Sequence, residues 1–222
     1  MHVIQKHILR KLVGSRALRY ADIKPPRVEG NQFSYHLKTL IRRGYVAKKE
    51  TGYALTTKGV HYSTQVSFEH FSVRIQPKIA TLIVARNSKG EYLTYRRNKQ
   101  PFLNMDGFAY GKVHLGERIE GAAERELKEK AGITADLVQK GIMYLLVTDK
   151  EGEVIAHTLF HVFLGTSPKG ETVQESPIGK IRWLSEKELL KQNIMPGVPE
   201  ALKIAKSASR CLLFEEYEFE QA

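Results

Sequence analysis

The stretch that decides the fold of this chain runs from Gly111 to Ile133 and reads G-K-V-H-L-G-E-R-I-E-G-A-A-E-R-E-L-K-E-K-A-G-I. Its second half has helical periodicity and no proline, and it ends at Gly132, a residue type that commonly terminates helices. Glu126 and Glu129 are three residues apart, so they project from one helix face, one turn apart. Two carboxylates placed in this way suit Mg²⁺, a hard cation that takes oxygen ligands and bridges to phosphate.

This pattern resembles the signature of the Nudix hydrolases, which cleave nucleoside diphosphates linked to another group. The resemblance implies an α/β/α sandwich with a mixed sheet and a Mg²⁺ or Mn²⁺ cofactor held against a pyrophosphate. Carried over by position, it implies that Glu126, Glu129 and Glu117 are metal ligands. Glu126 is also the candidate base, and Arg125 orients the carboxylates. Gly111 begins a loop that passes close to the helix and to the substrate.

The stretch also departs from the family pattern at several positions. Lys130 stands where the family has a second consecutive glutamate, and a lysine there would repel Mg²⁺ by roughly a few kcal/mol at an effective dielectric of about 20. His114 stands where a glutamate is common, and Ala109-Tyr110 replaces the usual Pro-Gly. We therefore expect weak turnover and loosely bound metal. The alternative interpretation is an exposed helix face with ordinary ion pairs.

The positive charge of the chain is concentrated in its first third. The 222 residues suit two domains and carry a net charge of +11. Residues 1–64 hold 13 Lys and Arg against 3 Asp and Glu, a net charge of +10, whereas residues 65–222 hold 22 against 21. This distribution is typical of a nucleic-acid-binding module joined to a nearly neutral domain.

Composition also limits where the protein is expected to act. Hydrophobic residues make up 42% of the chain, yet no apolar run approaches the ~18–20 residues of a membrane span. The N-terminus lacks the apolar segment of a secretion signal. One cysteine, Cys211, excludes an internal disulfide and suits a reducing compartment. The sequence thus predicts a cytoplasmic protein without a membrane partner.

The basic third predicts three helices followed by a β-hairpin. Apolar residues recur at helical spacing over 3–13, a short helix fits 20–23, and a third helix with Asn31 as N-cap runs to Arg43. Two short alternating runs flank Glu50-Thr51-Gly52, which is typical of a hairpin turn.

This order, with F-S-Y-H-L-K-T-L-I-R-R-G-Y-V at 33–46 and Y-A-L-T-T-K-G at 53–59, resembles a winged helix-turn-helix. The resemblance implies that the third helix enters the major groove of duplex DNA. The alternative is a basic fold reused for protein contacts. Residues expected to reach bases are Asn31, Gln32, Ser34, Tyr35 and Lys38, and those expected to contact phosphates are Arg42, Arg43, Lys48 and Lys49.

Beyond the basic third, strand-like runs surround the signature helix. Arg96 and Arg97 follow a predicted strand where Nudix proteins usually carry a basic residue near the substrate, so they are candidate phosphate ligands, although a solvated strand end fits equally. Glu175 is a weaker substrate-site candidate in a polar loop. We expect a winged helix-turn-helix domain at 1–64, a linker at 65–77, a Nudix-like domain at 78–210 and an acidic, strand-like tail at 211–222. The tail could close a dimer or cover a sheet edge.

Two functions fit these features. The first is a homodimeric, DNA-binding transcription regulator whose Nudix-like domain senses a nucleoside-diphosphate-linked small molecule and hydrolyses it weakly or not at all. The second is a Mg²⁺-dependent pyrophosphohydrolase with an accessory nucleic-acid-binding domain. Lys130, His114 and Tyr110 favour the first, because a sensor must hold its ligand and gains nothing from fast turnover.

Overall fold

The structure is a computed structural model that describes residues 1–67, 71–176, 179–209 and 212–221. It divides into two compact units, Met1–Ile75 and Gln76–Ala222. The first unit extends beyond the predicted boundary at residue 64, because Val66 and Phe71 of the predicted linker are buried in its core. Phe68, the other aromatic of that stretch, and Cys211 lie outside the described residues. No helix in the described ranges is long and apolar enough to cross a membrane.

The first unit has the predicted element order. Its core forms where the apolar faces of the first and third helices meet, with Ile8, Leu9, Phe33 and Leu40 fully enclosed. The elements are α1 (Val3–Val13), α2 (Tyr20–Ile23), α3 (Gly30–Arg42), β1 (Val46–Lys49), β2 (Gly52–Leu55) and α4 (Thr57–Thr64), with β1 and β2 antiparallel.

Two details of α3 differ from the sequence prediction. The helix begins at Gly30 with Glu29 as its N-cap, so Asn31 lies inside the first turn and does not cap it. Helical periodicity predicts an apolar stripe of Phe33, Leu37, Leu40 and Ile41 on this helix. Ile41 is nevertheless 36% exposed, whereas Thr39 is buried and donates its hydroxyl to the carbonyl of Tyr35. A threonine that bonds back to its own helix can be buried without an unsatisfied hydroxyl, which hydrophobic periodicity alone does not reveal.

The second unit is built on two β-sheets. A five-stranded mixed sheet has the order β11-β7-β8-β3-β6, with β3–β8 and β11–β7 parallel and the other pairs antiparallel. An antiparallel sheet has the order β5-β4-β10-β9. The strands are β3 (Lys78–Ala85), β4 (Tyr92–Arg97), β5 (Asp106–Gly107), β6 (Ala109–Lys112), β7 (Thr134–Thr148), β8 (Val154–Lys169), β9 (Glu175–Ser176), β10 (Gly179–Leu184) and β11 (Leu213–Glu220).

Three helices complete this unit: α5 (Ile119–Ala131), α6 (Glu186–Leu189) and α7 (Val198–Lys206). Helix α5 contacts β3, β6 and β7, and α7 contacts β3, β7 and β8, so both pack on the mixed sheet. The predicted mixed-sheet α/β architecture is confirmed. The acidic stretch predicted to be strand-like and to cover a sheet edge forms the strand β11, which pairs with β7 at the edge of the mixed sheet and belongs to the second unit.

Candidate functional site

Helix α5 places its carboxylates by the way in which it packs. Ala122, Ala123 and Leu127 are fully buried against the sheet, and Gly132 ends the helix in the left-handed conformation at φ 77°. The side chain of Glu126 shares the buried side and is only 8% exposed, whereas the side chain of Glu129 is 61% exposed. The two carboxylates predicted to act together therefore lie in different environments.

Arg125 connects the acidic residues of the signature. Its Nε and Nη2 donate to the two carboxylate oxygens of Glu117 at 2.7 and 2.9 Å, and its Nη1 donates to Glu126 Oε1 at 2.7 Å and to Glu129 Oε2 at 3.3 Å. Hydrogen bonds from Arg125 and from the backbone N–H of His114 lower the pKa of Glu117 to about 2, and the Glu117 carboxylate in turn raises the pKa of Arg125. The structure thus brings the four signature residues into one hydrogen-bonded array.

The second oxygen of Glu126 is held by Lys130. The Lys130 ammonium lies 2.7 Å from Glu126 Oε2 and 5.1 Å from the centre of the Tyr110 ring. Burial lowers the pKa of Lys130, and the hydrogen bond to Glu126 opposes that shift. A cation therefore already sits on the carboxylate that the family pattern assigns to metal.

Gly111 makes room for that carboxylate. A Cβ built on Gly111 would overlap the carboxyl group of Glu126, so any larger residue at this point of β6 would force that carboxylate to move. The sequence predicted that Gly111 begins a loop, whereas the residue lies on the strand β6 and pairs with Thr81 of β3. The expected close approach to the helix is present, because the Gly111 backbone passes next to the Glu126 carboxylate.

As arranged here, these residues do not fit a Mg²⁺ or Mn²⁺ ion, although Nudix hydrolases generally use one. Each oxygen of Glu126 is engaged by a cationic side chain, and both oxygens of Glu117 accept from Arg125. Within the described ranges, no three His, Cys, Asp or Glu side chains are grouped closely enough to hold a metal ion. A metal would have to displace the Lys130 ammonium to reach Glu126.

A cavity of about 630 Å³ opens beside this array, within the size range of small-molecule sites. Its inner wall is apolar, formed by side chains such as Phe108, Met143, Leu145, Phe160 and Met195. The wall also contains Tyr110 together with signature residues and further cations: Lys78, Arg97, Lys99, Gly111, Lys112, His114, Arg125, Glu126, Glu129 and Lys130. An apolar interior beside a cationic wall suits a ligand with a flat uncharged part and an anionic part.

The two candidate arginines have different environments. Arg96 donates to Asp106 at 2.7 Å and does not line the cavity, while Arg182 pairs with the other oxygen of the same fully buried carboxylate. Arg97 lines the cavity, but its guanidinium donates to the carbonyls of residues 99, 100 and 101 and to the Tyr110 hydroxyl. Arg96 is therefore a structural ion-pair residue, and Arg97 organises the loop that follows β4.

Glu175 was predicted as a substrate residue, and several residues of the cavity wall were not predicted at all. Glu175 lies exposed on β9 and is not part of the cavity wall. Sequence reasoning missed Lys99 and the apolar wall residues, because they come from separate strands and loops that only the fold brings together. It noticed Tyr110 as a departure from the family pattern, but no sequence signal placed that ring against Lys130.

In the first unit, most candidate DNA-binding side chains face solvent. On α3, Tyr35 is 64% exposed, and Ser34 is half-buried with its hydroxyl 2.8 Å from the Tyr20 hydroxyl. The remaining candidates are all exposed: Asn31, Gln32, Lys38, Arg42 and Arg43 on or at the end of α3, and Lys48 and Lys49 on β1. These side chains form a basic surface on one helix and the adjoining hairpin.

Comparison with known proteins identifies the second unit. The model of the NUDIX domain matches residues 76–204, which is more than half of the chain. The chain belongs to the NUDIX family. A curated relative, isopentenyl-diphosphate Delta-isomerase of Nocardia farcinica, is 27% identical over 101 residues, and the match covers 43% of this chain and 58% of that protein's length.

Solved structures share the fold of the NUDIX domain. A MutT protein from Bacillus halodurans is similar at 24% identity and a TM-score of 0.53, covering 64% of this chain and 90% of that one. The NUDIX domain of Shewanella oneidensis NrtR, complexed with ADP ribose, is similar at 14% identity and a TM-score of 0.52, covering 68% of this chain and 96% of that one. At these identities the likeness shows the fold alone.

Proposed function

We propose that this protein is a DNA-binding transcription regulator whose NUDIX domain binds a nucleoside-diphosphate-linked metabolite and hydrolyses it weakly or not at all. The observation that carries the proposal is the ion pair between Lys130 and Glu126, with 2.7 Å between ammonium nitrogen and carboxylate oxygen. This pair occupies the position at which the family pattern calls for a carboxylate-bound metal.

Electrostatics makes the pair a barrier to hydrolysis. Two unit charges at 4 Å interact by about 4 kcal/mol at an effective dielectric of about 20, so a divalent ion beside Lys130 would be repelled by about twice that amount. Metal-assisted hydrolysis depends on the ion to neutralise developing charge and to generate the attacking hydroxide. A site that disfavours the ion retains its cavity and loses most of its turnover.

The cavity supports the ligand class. Its volume of about 630 Å³ and its apolar inner wall leave room for a nucleoside-sized group, and Lys99, Lys130 and other cations of the wall could contact a diphosphate. The NrtR domain from Shewanella oneidensis, which has the same fold, is complexed with ADP ribose. A compound of that chemical class is therefore the first ligand to test.

The first unit supports DNA as the partner. Its order of helices and hairpin fits a winged helix-turn-helix, in which α3 enters the major groove and the hairpin meets the backbone. Exposed Gln32, Tyr35 and Lys38 would reach base edges, and Arg42 with the hairpin lysines would meet phosphates.

We also propose a homodimer, because such modules usually read two-fold operators. Sedimentation showing only monomer at tens of micromolar, with and without DNA, would contradict the dimer.

The test is a panel of nucleoside diphosphate compounds, each measured for thermal shift and for Mg²⁺- or Mn²⁺-dependent hydrolysis. The proposal expects at least one compound to stabilise the protein while turnover stays far below ~1–10³ per second, the range of ordinary enzymes. A compound hydrolysed within that range would overturn it.

The second candidate function is a Mg²⁺-dependent pyrophosphohydrolase with an accessory nucleic-acid-binding domain. It is favoured by the intact array of Glu117, Arg125, Glu126 and Glu129 beside the cavity. The variant Lys130→Glu separates the two candidates. If the ion pair suppresses activity, the variant gains metal affinity and hydrolysis, whereas loss of an existing activity would show that Lys130 takes part in catalysis.

A further inference from the structure

Lys130 and Tyr110, two positions at which the chain departs from the Nudix pattern, are in contact on one wall of the NUDIX cavity. The Lys130 ammonium lies 5.1 Å from the centre of the Tyr110 ring, within the distance of a cation–π interaction. Arg97 approaches the same ring, with its guanidinium carbon 5.8 Å from the ring centre and its Nη1 3.0 Å from the Tyr110 hydroxyl. The two departures therefore belong to one structural unit.

The two cations on this ring differ in the donors they have left. Arg97 directs its guanidinium to backbone carbonyls of the adjoining loop and to the Tyr110 hydroxyl. An ammonium has three N–H donors, and within the described part of the chain Lys130 has one acceptor, Glu126. Lys130 therefore has N–H groups available to a ligand, on a side chain that lines the cavity.

The charge around Lys130 also favours an anion. Glu126 is neutralised from two sides, by Arg125 at 2.7 Å and by Lys130 at 2.7 Å. Lys99 lines the same cavity and is close enough that its charge acts on Lys130. At the position where the family pattern has a second consecutive glutamate, the cavity wall therefore presents the Lys130 ammonium beside a neutralised Glu126.

We propose that Lys130 takes the place of the metal ion. Its ammonium binds a phosphate oxygen of the ligand's diphosphate directly, Lys99 supplies a second positive charge, and Tyr110 holds the Lys130 side chain toward the cavity. Ligand binding then needs no divalent ion. This inference rests on the proposed function, since it assumes that the cavity binds a nucleoside diphosphate compound. It adds that Lys130 is the residue that binds the diphosphate.

Calorimetric titration with two probes, ADP-ribose and inorganic pyrophosphate, tests this assignment in EDTA and in Mg²⁺. The wild-type dissociation constant for ADP-ribose should agree within about twofold between the two conditions, and pyrophosphate should compete with it. Lys130→Met, which keeps most of the side-chain length and removes the charge, should weaken both probes at least tenfold in both conditions. Lys150→Met, a matched change at an exposed lysine outside the cavity wall, should leave both unchanged.

Lys130→Met leaves Glu126 without one of its partners, so a second variant guards against a folding defect. Lys130→Met combined with Glu126→Gln removes both charges, and it should lose the same affinity while retaining a cooperative thermal transition. Wild-type binding that requires Mg²⁺, or Lys130 variants that bind as tightly as wild type in EDTA, would overturn the assignment but leave a ligand-binding site. No binding of either probe in either condition would overturn the proposed function as well.

Discussion

The two units of this protein use positive charge in opposite ways. Every ion pair that the structure shows among its described residues lies in the second unit, including Lys130–Glu126, Arg125–Glu117 and Arg96–Asp106. The first unit carries a net charge of +10 over residues 1–64. Within its described part, Arg42, Lys48 and the other exposed cations have no carboxylate partner.

This difference fits the proposal that the two units bind different classes of anion. Unpaired cations spread over a helix and a hairpin suit a polyanion such as DNA. When they contact its phosphates, the counterions condensed on the polyanion are released, and this gain does not require a fixed side-chain geometry. Paired and partly buried cations have their positions fixed by their partners, so they suit one small anion in a defined pose. DNA binding by the first unit should therefore depend steeply on salt, and ligand binding by the second should not.

The largest expected effect comes from removing the unpaired cations. Replacing Arg42, Arg43, Lys48 and Lys49 together with glutamine should weaken DNA binding by about 10²–10⁴-fold at physiological salt. It should reduce the slope of log affinity against log salt by about 3 to 4, since each phosphate contact contributes about 0.9. Fluorescence anisotropy of the full chain at several salt concentrations measures both quantities. Lys150→Gln with Lys191→Gln, two exposed lysines of the second unit, is the control, and an equal loss there would remove the contrast between the units.

A smaller effect tests the crowded contact that holds the second unit's array. Gly111→Ala places a methyl group against the Glu126 carboxylate and should destabilise this unit by about 1–3 kcal/mol, the usual cost of overpacking. Gly121→Ala lies inside α5 with open space around it, so it should stabilise the unit by about 0.5–1 kcal/mol.

Denaturant unfolding followed by the fluorescence of Trp183 reports on the second unit, because Trp183 is the only tryptophan and it lies on β10. Equal midpoints for Gly111→Ala and wild type would show that the backbone and Glu126 are not in the contact described.

The smallest expected effect concerns a buried histidine of the first unit. His36 stacks on His2 with ring centres 4.0 Å apart, and burial together with the neighbouring His2 lowers its pKa below the ordinary 6.5. The unfolded chain therefore binds more protons as the pH falls through 6.5, so the first unit loses stability on acidification. The melting midpoint of this unit should fall by a few degrees between pH 7 and pH 5.

The variant His36→Leu should flatten that dependence. Differential scanning calorimetry measures both unfolding transitions. The transition that has the same midpoint as the change in Trp183 fluorescence belongs to the second unit, and the other belongs to the first. An unchanged pH dependence in the variant would assign the effect to other groups.

The signature helix was predictable because its pattern fixes spacing, periodicity and a terminating glycine at once. Its end at Ala131 and the array around Arg125 follow from those residues. The sequence also showed that Lys130 would oppose a metal, and its spacing from Glu126 is that of an ordinary helix ion pair. It did not show that this pair would lie partly buried on the wall of a cavity.

Other parts of the site were not predictable for geometric reasons. Arg96 and Arg97 are adjacent on β4, and successive side chains of a strand point to opposite faces, so only one of them was able to line the cavity. The alternation of side chains along a strand does not tell which of the two arginines faces the cavity. The apolar inner wall comes from β-strands far apart in the chain, and its assembly depends on the register of the mixed sheet.

The central claim is that ligand in the NUDIX domain changes DNA binding without being consumed. The most direct measurement is the affinity of the full chain for an operator fragment selected from random duplexes, with and without saturating ADP-ribose, while ligand concentration is followed by chromatography. We expect the DNA affinity to change by about 5–150-fold, in either direction, with the ligand intact in Mg²⁺ after the titration. Equal DNA affinity with and without a ligand shown to be bound, or a ligand hydrolysed within the titration, would contradict it.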